Sequence, residues 1–408
     1  MAPTSTSHPE TTSEPSTTSP PTTTPAPTAP PGTCPPVECT PSWPQLQNTD
    51  NRAYSTCEIP LNLQLLWSTQ VDTITRNAII VANGRAYVPG DTSLHCLDAE
   101  TGTLLWSYHA ANILNGTPAY RDGRVFLGDK AGILHCIDAD TGERIWTRQI
   151  DENPGGFSSL LVADRKIYVN TGARRAICCI DTETGSIVWE HDAGQKYLGT
   201  RTPKMAYVDG LLYVPTSEDG VYCMDACTGD VIWHNDSMFL RNCRCRPIVT
   251  ENVICVSTIG NVFGLASDTG DIIWSFYTGS PYVPKVSSDG IYIYFGIYDG
   301  PFAGDLVSLD IRTGELNWQV PIGESLLSGC APLVTPDYLL VFERSGPDPA
   351  YASLGKNEEI SYLLHILDRK TAVILGTYGS VRGSSVGIAI VNNRIYFCTH
   401  DGQAYCLG

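Results

Sequence analysis

Between residues 101 and 318 the dipeptide Thr-Gly recurs six times with a Trp four residues behind it. The copies are Thr101-Gly102 with Trp106, Thr141-Gly142 with Trp146, Thr184-Gly185 with Trp189, Thr228-Gly229 with Trp233, Thr269-Gly270 with Trp274, and Thr313-Gly314 with Trp318. An Asp stands three residues before the Thr at Asp98, Asp138, Asp181, Asp225 and Asp310. A chain of 408 residues would by length alone suggest two or three domains. A period near forty residues overrides that expectation, because it marks a series of like supersecondary units.

Each unit reads as four short strands. One runs Gly116-Thr-Pro-Ala-Tyr120, Arg124-Val-Phe-Leu-Gly128, Ile133-Leu-His-Cys-Ile137 and Glu143-Arg-Ile-Trp-Thr147. β-branched and aromatic runs alternate with Asp-Gly, Asn-Gly and Thr-Gly turns. Asp and Thr hydrogen-bond their own turn, Gly supplies a positive φ, and the Trp offers a large flat surface to the next unit. These residues are therefore assigned structural rather than catalytic roles. A seventh copy is degraded: Asp368-Arg-Lys-Thr371-Ala372, with Gly376 where Trp would stand. Trp67 precedes Trp106 by one repeat period, in the outer-strand slot of one more unit. The chain ends on Gln403-Ala-Tyr-Cys-Leu-Gly408, the strand just before that slot. Pairing the two would seal a ring and remove two open sheet edges. The expectation is an all-β, eight-bladed β-propeller of four-stranded antiparallel blades, with an N-terminal strand closing the last blade. It would span residues 61–408, behind a Cys-containing entry segment, 34–60, and a Thr/Ser/Pro-rich spacer, 1–33.

Charge excludes some partners. Against 26 basic residues stand 43 acidic ones, a net charge of −17, which argues against a nucleic-acid or anionic-membrane surface. No apolar run is long enough to span a membrane, and after Met1 there is neither a basic nor an apolar leader region. Either the protein is cytosolic or the sequence begins after a removed leader. The composition of segment 1–33 cannot bury a core, and it fits a spacer holding a folded head away from a surface.

The segment Cys136-Ile-Asp-Ala-Asp-Thr-Gly-Glu-Arg-Ile-Trp146 resembles the tryptophan-docking repeat of the pyrroloquinoline-quinone-like (PQQ-like) propellers. The entry Trp43-Pro-Gln-Leu-Gln-Asn-Thr-Asp-Asn-Arg52, running into Leu65-Leu66-Trp67, is similar to the usual opening of that superfamily. The resemblance covers residues 43–408. It implies the fold, but not one function, since the superfamily holds both quinoprotein dehydrogenases and non-enzymatic BamB-like members. In size and blade number the chain is nearer the latter. The enzyme branch implies a disulfide between adjacent cysteines against the quinone, together with calcium ligands. Cys178-Cys179 is adjacent, but neighbouring strand residues point to opposite faces. No carboxylate cluster suggests calcium, so no catalytic or metal residue and no cofactor is assigned, and PQQ remains possible without support.

Of the fifteen cysteines, five occupy one repeat position: Cys96, Cys136, Cys179, Cys223 and Cys406. Gly264, Ser308 and Ile366 take the same slot elsewhere, so Cys reads there as a small buried residue. Cys34-Pro-Pro-Val-Glu-Cys39 is a candidate loop disulfide suited to an oxidising compartment. Cys243-Arg-Cys245 lacks the second nearby pair that zinc would need. His95 and His135 share one repeat position, which points to packing rather than ligation.

The Thr-Gly turns lie on one face of the ring, and the irregular loops lie on the other. Those loops are Phe239-Leu-Arg-Asn-Cys-Arg-Cys-Arg246, Tyr298-Asp-Gly-Pro-Phe-Ala-Gly-Asp305 and the stretch from Glu343 to Ser361, which belong to blades 5, 6 and 7. Basic residues assigned to inner strands gather there too, and the candidate site comprises Arg201, Arg241, Arg244, Arg246, Lys285 and Arg382. The alternative is that these side chains satisfy exposed carbonyls and acidic neighbours. The functional expectation is a non-catalytic, extracytoplasmic binding or scaffold module acting through the loop face of blades 5–7, on a protein partner or a small anionic ligand. Alternatives are a PQQ-dependent oxidoreductase and a carbohydrate or adhesion module. Asn115-Gly-Thr117 and Asn235-Asp-Ser237 would be glycosylation sequons in a eukaryotic host.

Overall fold

The computed structural model describes residues 53–408 apart from 73–76, 152–159, 172–175, 193–204, 218, 244, 299–303, 323–330, 346–360, 383–386 and 400–401. The chain divides into two units, Met1–Val37 and Glu38–Gly408, and every described residue belongs to the second. Eight four-stranded antiparallel sheets follow one another. Blade 1 shows the common plan: Ile80–Ala82 innermost, then Arg85–Pro89, Ser93–Asp98, and Leu104–His109 outermost. The middle strands are buried on both faces and read as continuous apolar runs, whereas the outer strand is largely exposed.

The turn chemistry repeats as the residue types demand. In blade 2 the Asp138 carboxylate accepts the backbone N–H of Asp140 at 3.0 Å and of Thr141 at 2.8 Å, and the Thr141 hydroxyl at 3.0 Å. The Thr141 amide holds that carboxyl below its ordinary value. Six Trp Nε1 groups then donate to a carbonyl of the next blade's turn: Trp67 to Ala99, Trp106 to Ala139, Trp146 to Thr182, Trp189 to Ala226, Trp233 to Ser267 and Trp274 to Ile311. The next blade's glycine is required twice over. Gly142 has φ +76°, and a side-chain carbon built on it would lie 2.6 Å from Trp106. Inside its own blade the Trp rests against a second-strand aromatic ring. Tyr87–Trp106, Phe126–Trp146, Tyr168–Trp189, Tyr213–Trp233, Tyr294–Trp318 and Tyr396–Trp67 all have centroids 5.9–6.2 Å apart. The repeated cysteine slot is the cross-strand partner of the Trp, as in Cys96↔Trp106 and Cys136↔Trp146. All five of those cysteines are buried and free, and burial pushes the Cys96 and Cys136 thiols up to about 12.

The ring closes by strand exchange. Leu65–Gln70 is the outer strand of blade 8, with Trp67 opposite Cys406 and Gln70 opposite Gln403. Gln64 N–H to Gly408 O at 2.9 Å and Val71 N–H to Gly402 O at 2.7 Å lock its two ends. The first described strand and the last therefore share one sheet.

The degraded seventh motif has a physical cause upstream. Residues 53–63 run across blade 7: Tyr54 bridges Val334 in parallel, and Ile59 and Leu63 sink into one cluster with Phe342, Leu364 and Ile366 of blade 7 and Ala389 and Phe397 of blade 8. Gly376 makes room for this passage, since a side-chain carbon there would meet the Leu61 carbonyl at 3.0 Å. The entry segment thus fills the blade 7–8 interface that a Trp fills elsewhere. Cys57, within that segment, is buried and disulfide-bonded. The expected Cys34–Cys39 pair lies outside the described residues.

Ala372 has no such compensation. It occupies the Thr-Gly glycine's place at φ +57°, and Trp318, which would dock on that turn, has its indole N–H buried without an acceptor. We expect Ala372→Gly to relieve the left-handed strain and let Trp318 seat. The gain should be about 1 kcal/mol, read as a rise in Tm of about 2 °C in a calorimetric scan. An unchanged or lower Tm would show that Ala372 is not the obstacle.

Candidate functional site at the loop end of blade 5

Among the described residues, most of the exposed large apolar side chains fall into two patterns. One is periodic. Pairs such as Leu65-Leu66, Leu104-Leu105, Ile187-Val188, Val231-Ile232 and Ile272-Ile273 open the outer strands just past the turns, and they belong to the repeat itself. The other is local. At the loop end of blade 5, Met238 is 70% exposed, Phe239 64%, Ile259 45%, Tyr277 78% and Tyr282 54%. The equivalent connections out of blades 2, 3, 6, 7 and 8 lie largely outside the described residues; in the connection out of blade 1 the exposed large apolar residue is Ile113, at 39%.

The local sequence builds the patch from three loops. Asn235 ends the outer strand of blade 4, and its side-chain oxygen accepts the Ser237 N–H at 3.0 Å. A single 3-10 turn, Met238–Leu240, follows, with the Ser237 hydroxyl accepting from Phe239 N–H. Leu240 turns inward and is buried with Tyr213, Cys243, Val249 and Ile254, which leaves Met238 and Phe239 facing water. Asn242 takes φ +61°, a conformation Asn tolerates, and its N–H bonds the Ser217 carbonyl of blade 4 at 2.7 Å. The second loop is the Ile259-Gly260 turn. The third begins at Tyr277, at the end of the outer strand Ile272–Tyr277, where Thr278 N–H bonds Gly260 O at 2.9 Å. Side-chain carbons at Gly260 or Gly279 would each touch the Tyr277 ring at 3.9 Å, so two bare glycines lie beside it. The second and fourth strands of one blade lie about 10 Å apart, at roughly 4.8 Å per strand, which places the second and third loops close together, and the first is tied to the same blade through Leu240, packed with Val249, Ile254 and Val256.

The expected basic residues divide. Arg241 is exposed and caps the 3-10 turn, and Lys285 is half-buried in the loop leading to blade 6. Arg246 is 2% exposed and belongs to the blade's interior, where burial pulls its guanidinium down to about 10. Arg382 ends the fourth strand of blade 7, Ile374–Arg382, opposite Ser361, rather than standing on an inner strand; its side chain lies outside the described residues. Arg201 and Arg244 also lie outside them, as do residues 299–303 and 346–360 of the blade 6 and 7 insertions. Sequence reasoning placed weight on arginines and missed the apolar members. The signal available was the run Met238-Phe239-Leu240 in an otherwise polar connection, and two tyrosines in a Gly/Ser/Pro turn.

The Thr-Gly face is less uniform than its turns suggest. A pocket of about 260 Å³ opens there between blades 5 and 6, lined by Thr250, Glu251, Asn252, Gly290 and Arg312. That is small beside the several hundred Å³ usual for ligand sites. The repeated histidines are held on both nitrogens: His95 between Ser107 at 2.9 Å and Asp72 at 3.1 Å, and His135 between Tyr108 at 2.9 Å and Asp129 at 3.2 Å. Asn235 gives its amide to the Gly270 carbonyl at 2.6 Å, so its sequon is engaged in the fold. Cys178 and Cys179 are free, buried and packed into different core clusters on opposite faces of their strand. They do not fit the quinone-facing disulfide of the enzyme branch. No group of three or more His, Cys, Asp or Glu among the described residues is placed to hold a metal, and no described helix is long and apolar enough to cross a membrane.

Eight blades joined by tryptophan docking and sealed by an N-terminal outer strand define a PQQ-like β-propeller. The family model for the outer membrane protein assembly factor BamB matches residues 64–160, 90–235 and 179–407, and the chain belongs to that family. No curated protein sequence matches it. Among solved structures it is similar to BamB from Moraxella catarrhalis at 18% identity, covering 85% of this chain and 99% of that one with a TM-score of 0.65. It is likewise similar to a europium-containing methanol dehydrogenase, at 15% identity, 90% and 89% coverage and TM-score 0.68. The computationally designed Ika8 protein matches at 14% identity, 84% and 99% coverage and TM-score 0.69. At these identities the likeness concerns the fold.

Proposed function

We propose that this chain is a non-catalytic binding module working outside the cytoplasm, and that the loop end of blade 5 grips an acidic, apolar segment of a partner protein. The carrying observation is the group Met238, Phe239, Ile259, Tyr277 and Tyr282, exposed at the loop end of blade 5 with Arg241 close by in the chain. Large amphipathic rings, Met and Arg are the residue types that dominate protein interfaces. In a chain of net charge −17, a basic edge on an aromatic patch selects an acidic partner over further copies of the chain itself. The Thr/Ser/Pro-rich segment 1–33 would serve as a spacer tethering the head to a surface. Kinship with a family described by outer membrane protein assembly agrees with an extracytoplasmic, protein-directed role.

A displayed peptide library selected against the folded chain tests this. Selected peptides should be acidic and carry apolar anchors. Phe239→Ala and Tyr277→Ala should each weaken a selected peptide by about tenfold, the effect of a single interface anchor, and Arg241→Glu should do so in a salt-dependent manner. Leu104→Ala, on the periodic rim, should leave binding unchanged. Failure to select such peptides, or binding of an oligosaccharide panel that is lost with Tyr277→Ala, would overturn the reading in favour of another ligand class.

A further inference from the structure

Three thiols outside the repeated slot converge beneath the same loops. Cys243 and Cys245 come from the connection into blade 5, and Cys255 comes from its second strand, Val253–Thr258. They are 0%, 4% and 1% exposed, and all are free. Cys245 is set apart by Ser257. The Ser257 backbone N–H points at the Cys245 sulfur at 3.2 Å, and the Ser257 hydroxyl oxygen lies 2.7 Å from it. That oxygen also lies 2.7 Å from the Pro284 carbonyl. One hydroxyl proton serves one acceptor at a time. With Cys245 protonated, its S–H donates to the Ser257 carbonyl at 3.8 Å while the Ser257 O–H donates to Pro284. When the sulfur loses its proton, the Ser257 O–H swings to it, and two donors hold the thiolate.

Cys255 is two residues before Ser257 on one strand, so the two side chains share a face. Both Cys255 and Ser257 therefore face the side on which Cys245 sits. Burial pushes the Cys243 and Cys255 thiols well up, and a charge on Cys245 would raise each further. Those two are thus held protonated while Cys245 is the sulfur with donors aimed at it.

We propose that Cys245 and Cys255 form a redox-active dithiol under the loop face of blade 5, with Cys245 the attacking sulfur and Cys255 the resolving one. The oxidant class is a small-molecule or dithiol disulfide. The Cys245 thiolate attacks one sulfur of the external disulfide, forming a mixed disulfide and expelling one thiolate. Cys255 then gives up its proton to that thiolate and attacks the Cys245 sulfur, releasing the second external thiolate, which takes up the proton that Cys245 had lost. Two protein thiols are oxidised and one external disulfide is reduced to two thiols. Because both sulfurs are buried, the exchange goes through opening of the 236–247 connection. The closed disulfide would pin that connection to the second strand.

The experiment equilibrates the intact, folded chain across glutathione buffers from fully reduced to fully oxidised. Remaining thiols are alkylated, and the peptides are mapped by mass spectrometry. The expected result is loss of two alkylatable thiols in one step and a linked peptide joining Cys245 to Cys255, while Cys96, Cys136 and Cys179 stay reduced. Cys255→Ser should stop at a glutathione adduct on Cys245, and Cys243→Ser should leave the link intact. A fully reduced trio in the most oxidising buffer, or a Cys243–Cys245 link, overturns the proposal. The wild-type map alone decides this if a variant fails to fold, and the outcome is independent of whether the peptide selection succeeds.

Discussion

Replacing Gly376 by Trp, which restores the repeat's own pattern, is expected to destabilise the chain by about 3 kcal/mol. In six other blades the outer strand carries a Trp that docks on the following turn. Blade 7 has given that interface to residues 53–63, whose Ile59 and Leu63 are buried between blades 7 and 8 and whose Leu61 carbonyl lies where a Gly376 side chain would begin. A Trp there must expel the entry segment, exposing Cys57 and its disulfide to solvent. A lower Tm together with faster amide exchange at residues 57–63 is the predicted result. The contrast with Ala372→Gly sharpens it: two substitutions four residues apart both restore the motif, yet they carry opposite signs. A consensus argument from the repeat alone would give them the same sign.

Trp67→Ala should be the more damaging change. The side chain is 8% exposed, donates to Ala99 O at 3.1 Å and rests on Tyr396. Truncating a buried Trp costs about 3–5 kcal/mol. Here the strand that carries it is also the seal of the ring, with Leu65–Gln70 paired on Gln403–Leu407. Weakening it frees two sheet edges at once. We therefore expect Trp67→Ala to lower Tm and to raise exchange selectively at 403–407 and 65–70. The equally buried Trp274, changed to Ala, should destabilise without opening that seam. Equal exchange at the seam in both variants would mean that closure is not carried by Trp67.

Most of the architecture was legible because its chemistry repeats. A turn that needs Asp, Thr and Gly at fixed offsets, and a Trp at a fixed distance, can be counted without coordinates, and the two half-units at the ends imply closure. Gly376 was legible as an anomaly but not as an accommodation, because nothing local says that residue 61 passes over residue 376. The candidate site was legible only in part. Charge drew attention to the loop into blade 5, yet Arg246 is interior and the exposed surface there is apolar. Whether Leu240 or Phe239 faces inward depends on one 3-10 turn, which has no periodicity to read. The thiols behaved likewise: Cys243-Arg-Cys245 was visible as a pair, but its third member and its serine partner come from the neighbouring strand.

The central claim, that partner proteins are gripped at the loop end of blade 5, is tested most directly by site-specific photocrosslinking. A photoreactive phenylalanine analogue would replace Tyr277 or, on the periodic rim, Leu104, in the full chain within its own cell. The account predicts a discrete protein adduct from position 277. That adduct should disappear with Arg241→Glu and with excess selected peptide, and no matching adduct should form from position 104. An adduct from position 104 with none from 277, or a 277 adduct indifferent to Arg241→Glu, would contradict it.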